Sequence, residues 1–115
     1  MKNILVVKLE IEDLQSFWGN TNDSSERTAA KNRVSFLRGA LSVLESGISE
    51  EAIMRDKELA LKKRRLITDL IHRVKTEQAY GDAKIQKRLC SDIKKEHGDK
   101  SIALQLKTIR YILED

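Results

Sequence analysis

The longest uninterrupted helical pattern of this chain runs from Ile48 to Tyr80 and reads ISEEAIMRDKELALKKRRLITDLIHRVKTEQAY. It contains no glycine, and the chain has no proline that would break it. Ser49 is a favourable N-cap residue, and the two glutamates that follow it place negative charge where the helix dipole favours it. The pattern predicts one long helix over about residues 50–80, which would span roughly 45 Å.

One broad face of this predicted helix is apolar, because its apolar residues recur at spacings of three and four. The face consists of Ala52, Ile53, Leu59, Ala60, Leu66, Ile67, Leu70, Ile71 and Val74. We expect the middle of this face, at Leu66, Ile67, Leu70 and Ile71, to form the core. Because the helix is longer than a compact domain of 115 residues needs, we expect the other helices to pack around it.

Four glycines divide the rest of the chain into periodic segments, and a capping residue follows each of them. They are Gly19, Gly47, Gly81 and Gly98. Glycine after a helix, with serine or aspartate before the next, is typical of consecutive helices with short connections. The predicted segments cover about residues 4–18, 25–46, 50–80, 83–97 and 101–113. The sequence therefore predicts a single all-α domain over residues 1–115, a four- to five-helix bundle around the long helix.

The first segment fits two structures. As a helix, Ile4, Val7, Ile11, Leu14 and Trp18 form a stripe on one side. As a strand, Leu5, Val7, Leu9 and Ile11 would alternate with Val6, Lys8, Glu10 and Glu12, and the β-branched content of the segment favours that form. No second strand candidate exists for a strand to pair with, so helix is favoured and a short N-terminal strand is the alternative.

The remaining segments each carry an apolar stripe. The stripes consist of Ala30, Val34, Leu37, Leu41 and Leu44 in the second segment, Ile85, Leu89 and Ile93 in the fourth, and Ile102, Leu106, Ile109 and Leu113 in the fifth. Leu104 and Tyr111 lie on the other side of the fifth. We expect these two residues, together with an uncovered end of the long helix, to pack against a second copy, which would make the protein a homodimer.

Composition limits the class of protein. The chain is 40% hydrophobic and 35% charged, with a formal net charge of +4, which permits a polyanionic partner without requiring one. One cysteine, Cys90, cannot form an internal disulfide, which argues against a disulfide-stabilised secreted scaffold. The apolar run near the N-terminus is too short for a signal peptide or a membrane span. We therefore expect a cytoplasmic protein without a membrane partner.

No arrangement of residues indicates catalysis, a metal site or a cofactor. Cys90 and His97 are two helical turns apart, roughly 10 Å along the axis, which is too far for a thiol–imidazole hydrogen bond. His72 lies among charged residues with no second histidine or cysteine at a ligand spacing. The isolated glycines at 81 and 98 are each followed by an aspartate, which would repel phosphate. We expect no enzymatic activity.

Basic residues are concentrated in two neighbouring segments. Residues 55–75 carry eight bases and three acids, a net of +5, and residues 84–95 carry five bases and one acid, a net of +4. The remainder of the chain is therefore at −5. Same-helix pairs such as Glu58–Lys62 and Asp69–Arg73 account for part of the first cluster as an ordinary solvated face. The second cluster has no acid within its basic arc.

This charge distribution predicts contact with nucleic-acid phosphates. The expected contact residues are Lys62, Arg65, Arg73, Lys84, Lys87, Arg88, Lys94 and Lys95. With only 4% aromatic residues, base stacking is a poor basis for binding, so duplex nucleic acid is the expected partner. The sequence predicts a small helical nucleic-acid-binding regulator. The alternative is a protein–protein interaction module, such as an adaptor, inhibitor or assembly subunit, with a protein partner and no nucleic-acid role.

Overall fold

A computed structural model describes residues 1–77 and 81–114 of the chain, and these residues form five helices. The helices are α1 (Ile4–Asn20), α2 (Ser24–Glu45), α3 (Glu50–Glu77), α4 (Ala83–His97) and α5 (Asp99–Leu113). Within the described ranges there is no strand, so the all-α prediction is confirmed. Residues 78–80 of the predicted long helix lie outside the described residues.

The alternative of an N-terminal strand is wrong, since residues 4–12 belong to α1. The Asn3 side chain caps this helix by accepting a hydrogen bond from the Leu5 N–H at 2.9 Å. The helix places Val7 and Ile11 on one side, where both are buried. With no strand to pair with among residues 1–77 and 81–114, only a helix satisfies the backbone of this segment from within.

Side chains also cap the N-termini of α2, α3 and α4. Asp23 accepts from two N–H groups at the start of α2, and Asp82 accepts from the Lys84 N–H at the start of α4. The predicted N-cap of α3 is confirmed, because the Ser49 Oγ accepts from the Ala52 N–H at 3.2 Å. Each cap satisfies N–H groups that have no partner inside the helix.

The five helices contribute to two compact units, and the boundaries fall within α3 and α5. The first unit consists of Met1–Ile53 and the C-terminal segment that begins at Thr108. The second unit consists of Met54–Lys107. Here they are named the N-terminal unit and the central unit. The central unit holds most of α3, all of α4 and the first part of α5.

The N-terminal unit packs the predicted stripes of α1 and α2 against the end of α5. Its buried cluster consists of Val7, Ile11, Val34, Leu37, Ala40, Leu44, Ile53, Ile109, Tyr111 and Ile112. Phe36 and Tyr111 meet edge to face, with ring centroids 5.5 Å apart. The second face expected for α5 is therefore wrong at Tyr111, which is buried inside the chain. Leu104 remains exposed.

The central unit has a smaller core. Ala60 and Ile67 of α3 are buried with Ile102 of α5. Ile71, Ile93 and Leu106 pack against them and are partly buried. The expected core position of Leu66 is wrong, since half of this side chain is exposed, and Leu70 is only partly buried. Helices α4 and α5 cover a narrower arc of α3 than its apolar residues occupy.

Helix α4 is rotated relative to its predicted stripe. Ile85, expected to be buried, is 52% exposed. The partly buried side instead includes Gln86, Cys90 and Ile93. This side of α4 lies toward α3, where the Gln86 side-chain amide donates to the Lys75 carbonyl at 3.4 Å. The lysine- and arginine-rich arc consequently faces solvent.

Candidate nucleic-acid interface

All eight residues predicted to contact phosphate are exposed and belong to the central unit. Five of them, Lys84, Lys87, Arg88, Lys94 and Lys95, lie on α4. Their spacing of three, four and seven residues puts them on one arc of the helix, opposite its partly buried side. Lys94 and Lys95 are in the last turn, where the helix dipole favours positive charge.

A first groove runs along α4 and includes one residue of α3. Its volume is about 520 Å³, and three lysines line it: Lys75 from α3, and Lys87 and Lys94 from α4. Lys87 and Lys94 are seven residues apart, which places their Cα atoms roughly 10 Å apart along the helix. Cys90, which is partly buried, lines the groove between them.

A second groove continues from the first at Ser91 and Lys94, which line both. Its volume is about 550 Å³, and it extends past the end of α4 to Lys95 and Lys100. The α4–α5 connection at Gly98 lets α5 begin directly, at Asp99. Asp99 is the one acidic residue among those lining this groove. Together the two grooves present five lysines on one continuous surface, here called the lysine surface.

The other three predicted residues lie elsewhere. Lys62, Arg65 and Arg73 are on the side of α3 away from the buried Ala60 and Ile67. None of the three lines either groove of the lysine surface. Arg65 lines a separate, smaller depression of about 240 Å³ on α3. Of the five predicted α4 residues, three lie on the lysine surface: Lys87, Lys94 and Lys95. Lys84 and Arg88 are exposed on α4 but line neither groove.

Two lysines of the lysine surface were not among the predicted contacts. Lys75 lies in the basic stretch, but its spacing on α3 does not distinguish it from its neighbours. The Gln86 side chain donates to the Lys75 carbonyl, so this turn of α3 lies beside α4. Lys100 precedes the predicted start of the fifth helix at residue 101, whereas α5 begins at Asp99. Because α5 begins two residues earlier than predicted, Lys100 is in its first turn and lines the second groove with Lys94 and Lys95 of α4.

Ion pairs do not neutralise these bases within residues 1–77 and 81–114. No carboxylate in the described part of the chain comes within 4.0 Å of a charged nitrogen of the eight predicted residues, of Lys75 or of Lys100. The same-helix pairs expected for Lys62 and Arg73 are not formed. The ion pairs that are described belong to the N-terminal unit, such as Arg33–Glu10 at 3.3 Å.

The central unit and the rest of the chain also differ in net charge. The central unit, residues 54–107, carries fifteen bases and eight acids, a net of +7. The rest of the chain carries seven bases and ten acids, a net of −3. A charge of this size on 54 residues creates a positive potential that attracts polyanions.

Other kinds of site find little support in the described residues. No group of three or more histidine, cysteine or acidic side chains is placed to hold a metal ion there. His72 is exposed, and His97 and Cys90 are partly buried on α4. Among the described helices, none combines the length and apolar character needed to cross a membrane.

No protein-family model, curated protein or solved structure matches this chain. The function is therefore argued from the geometry and charge of the lysine surface.

Proposed function

We propose that this protein is a small helical regulator that binds duplex nucleic acid through its phosphates, using the lysine surface of the central unit. The observation that carries the proposal is that two joined grooves are lined by five lysines, none of which forms an ion pair with a described residue: Lys75, Lys87, Lys94, Lys95 and Lys100. Lysine side chains that neutralise phosphates release condensed counterions, and this release drives sequence-independent binding.

Duplex fits this surface better than single-stranded nucleic acid. The described aromatic residues, Phe17, Trp18, Phe36 and Tyr111, all belong to the N-terminal unit, and none lines either groove. Among residues 1–77 and 81–114, no side chain of the lysine surface can therefore stack on a base, which is the contact that single-strand binders use. Lys87 and Lys94 are roughly 10 Å apart along the helix, which is about the axial distance covered by three successive phosphates of one duplex strand.

A salt titration of duplex affinity tests the proposal. Five phosphate contacts should give a slope of log affinity against log salt of about −4.5, or roughly a 500-fold loss of affinity from 50 to 200 mM salt. The variant Lys75→Ala/Lys87→Ala/Lys94→Ala should bind more weakly and reduce the magnitude of the slope by about three.

The matched control is Lys62→Ala/Arg65→Ala/Arg73→Ala, which removes the same charge from exposed positions outside the lysine surface. It should keep most of the wild-type slope. The proposal fails if wild type does not bind duplex at about 50 mM salt, or if the groove variant retains the wild-type slope. A phosphate role for Lys62, Arg65 and Arg73 stays a prediction, and this control measures it.

The alternative, a protein-interaction module, has an observation of its own in the exposed leucines of α1 and α3, among them Leu5, Leu9, Leu59 and Leu66. Apolar side chains left in solvent at helical spacing favour packing against another protein. Such binding should depend only weakly on salt, which distinguishes it from phosphate contact. A cytoplasmic location and the absence of enzymatic activity remain predictions from the sequence.

A further inference from the structure

The outer side of α3 carries a ridge of leucines that phosphate binding does not explain. Leu59 is 64% exposed, Leu66 is 50% exposed, and Leu70 is partly buried. Their spacings of seven and four residues place them in one line along the helix. Leucine gains nothing from a phosphate, whereas the same spacing is the one by which helices pack together.

Positive charge lies on both sides of this leucine ridge. Lys62 and Lys63 are exposed and project on opposite sides of Leu66. Within residues 1–77 and 81–114, neither lysine forms an ion pair. A helix that packs on the ridge would therefore gain from acidic residues on either side of its own apolar stripe.

The outer side of α1 has that complementary pattern. Leu5 is 67% exposed and Leu9 is 59% exposed, on the side of α1 away from the buried Val7 and Ile11. The next exposed residues toward the C-terminus are Glu12 and Asp13, which lie on either side of the line through the two leucines. Neither acid pairs with a base in the described part of the chain.

We propose that the outer side of α1 in one copy packs antiparallel on the leucine ridge of α3 in a second copy. The spacing from Leu5 to Leu9 equals that from Leu66 to Leu70, since each is four residues or roughly 6 Å along a helix. In an antiparallel arrangement, Leu5 therefore contacts Leu70, and Leu9 contacts Leu66. This register decides which charges meet.

Glu12 and Asp13 follow Leu9 by three and four residues. Lys63 and Lys62 precede Leu66 by three and four residues. The antiparallel register therefore sets two acids opposite two lysines, whereas a parallel register would carry the acids past Leu70, where Arg73 offers them one exposed base. A second copy is the occupant because one chain carries both halves of the contact, and its oppositely charged units attract each other between copies.

Sedimentation equilibrium without nucleic acid tests this contact separately from duplex binding. Wild type should associate as concentration rises. Lys62→Glu/Lys63→Glu should weaken association at least about tenfold, because acids then face acids. Glu12→Lys/Asp13→Lys should weaken it similarly. The control Lys94→Glu/Lys95→Glu changes charge equally on α4 and should associate as wild type does.

Mixing gives the decisive result. The two weakened variants should associate with each other when mixed, since each then offers the charge that the other lacks. All the substituted side chains are exposed, and circular dichroism of each variant should match wild type. A wild type that stays monomeric at about 100 μM overturns the proposal and leaves the leucine ridge to an acidic helix of another protein. Weakened variants that do not recover on mixing overturn it as well.

Discussion

Leu66 and Ile67 are adjacent and equally apolar, yet the fold treats them differently. Ile67 is 2% exposed in the core of the central unit, whereas Leu66 lies on the leucine ridge. Ile67→Ala should lower the free energy of unfolding by about 2–5 kcal/mol, because it leaves a cavity. Leu66→Ala, the matched control, should change it by less than about 0.5 kcal/mol in dilute protein. Urea denaturation measures both, and equal losses would contradict the assigned rotation of α3.

Tyr111 links burial to stability at alkaline pH. Burial raises the pKa of its phenol above the ordinary 10.0, and the neighbouring Glu10 carboxylate, which accepts its hydrogen bond at 3.3 Å, raises it further. Arg33 offsets part of this rise. Because the folded state holds the proton more tightly, the stability gained is fully present below pH 10 and is lost as pH rises through the folded pKa.

The variant Tyr111→Phe should cost about 0.5–1.5 kcal/mol at neutral pH, through loss of the hydrogen bond to Glu10. It should also lose less stability than wild type as pH rises from about 9 to 11. Urea unfolding across this range measures both effects. Parallel pH profiles for the two proteins would show that Tyr111 does not titrate with a raised pKa.

At the scale of helices, the short connection between α4 and α5 depends on backbone conformation. Gly98 has φ 68° and ψ 40°, in the left-handed region, and its N–H bonds back to α4 carbonyls. An added Cβ would meet only the Ser101 Cβ at 3.9 Å, so conformation, not space, requires glycine here. Gly98→Ala should therefore destabilise the protein by about 1–2 kcal/mol.

Gly39 provides the matched comparison. It lies within α2, and an added Cβ would meet nothing within 4 Å. Gly39→Ala should therefore stabilise the protein by about 0.5–1 kcal/mol. Thermal unfolding should move in opposite directions for the two substitutions. A Gly98→Ala protein as stable as Gly39→Ala would be inconsistent with the left-handed connection.

For the whole molecule, the division of charge predicts where a duplex binds. The central unit at +7 should attract the duplex, and the rest of the chain at −3 should not. On titration with duplex, NMR shifts of backbone amides should concentrate in α4 and the start of α5. Lys31 and Arg38, bases of the N-terminal unit, serve as internal controls and should shift little. Shifts centred on the N-terminal unit would contradict the lysine surface as the binding site.

Local sequence was enough to place the helices. Ser49 and Asp82 cap their helices, and most residues of the α1 and α2 stripes are buried or partly buried in the core of the N-terminal unit. Both features were predictable because capping and helical periodicity depend only on neighbouring residues. The basic arc of α4 was predicted for the same reason. Five of the eight expected phosphate contacts lie on that arc, and three of them line the grooves.

Packing between helices decided the rest. The apolar residues of α3 form an arc wider than its neighbours cover, so its periodicity leaves open whether Leu66 or Ile67 is buried. On α4, contact with α3 shields Gln86 and leaves Ile85 exposed. That contact also brings Lys75 beside Lys87 and Lys94. Such choices depend on residues far apart in sequence, because the free energy of burial is gained only where another helix excludes water.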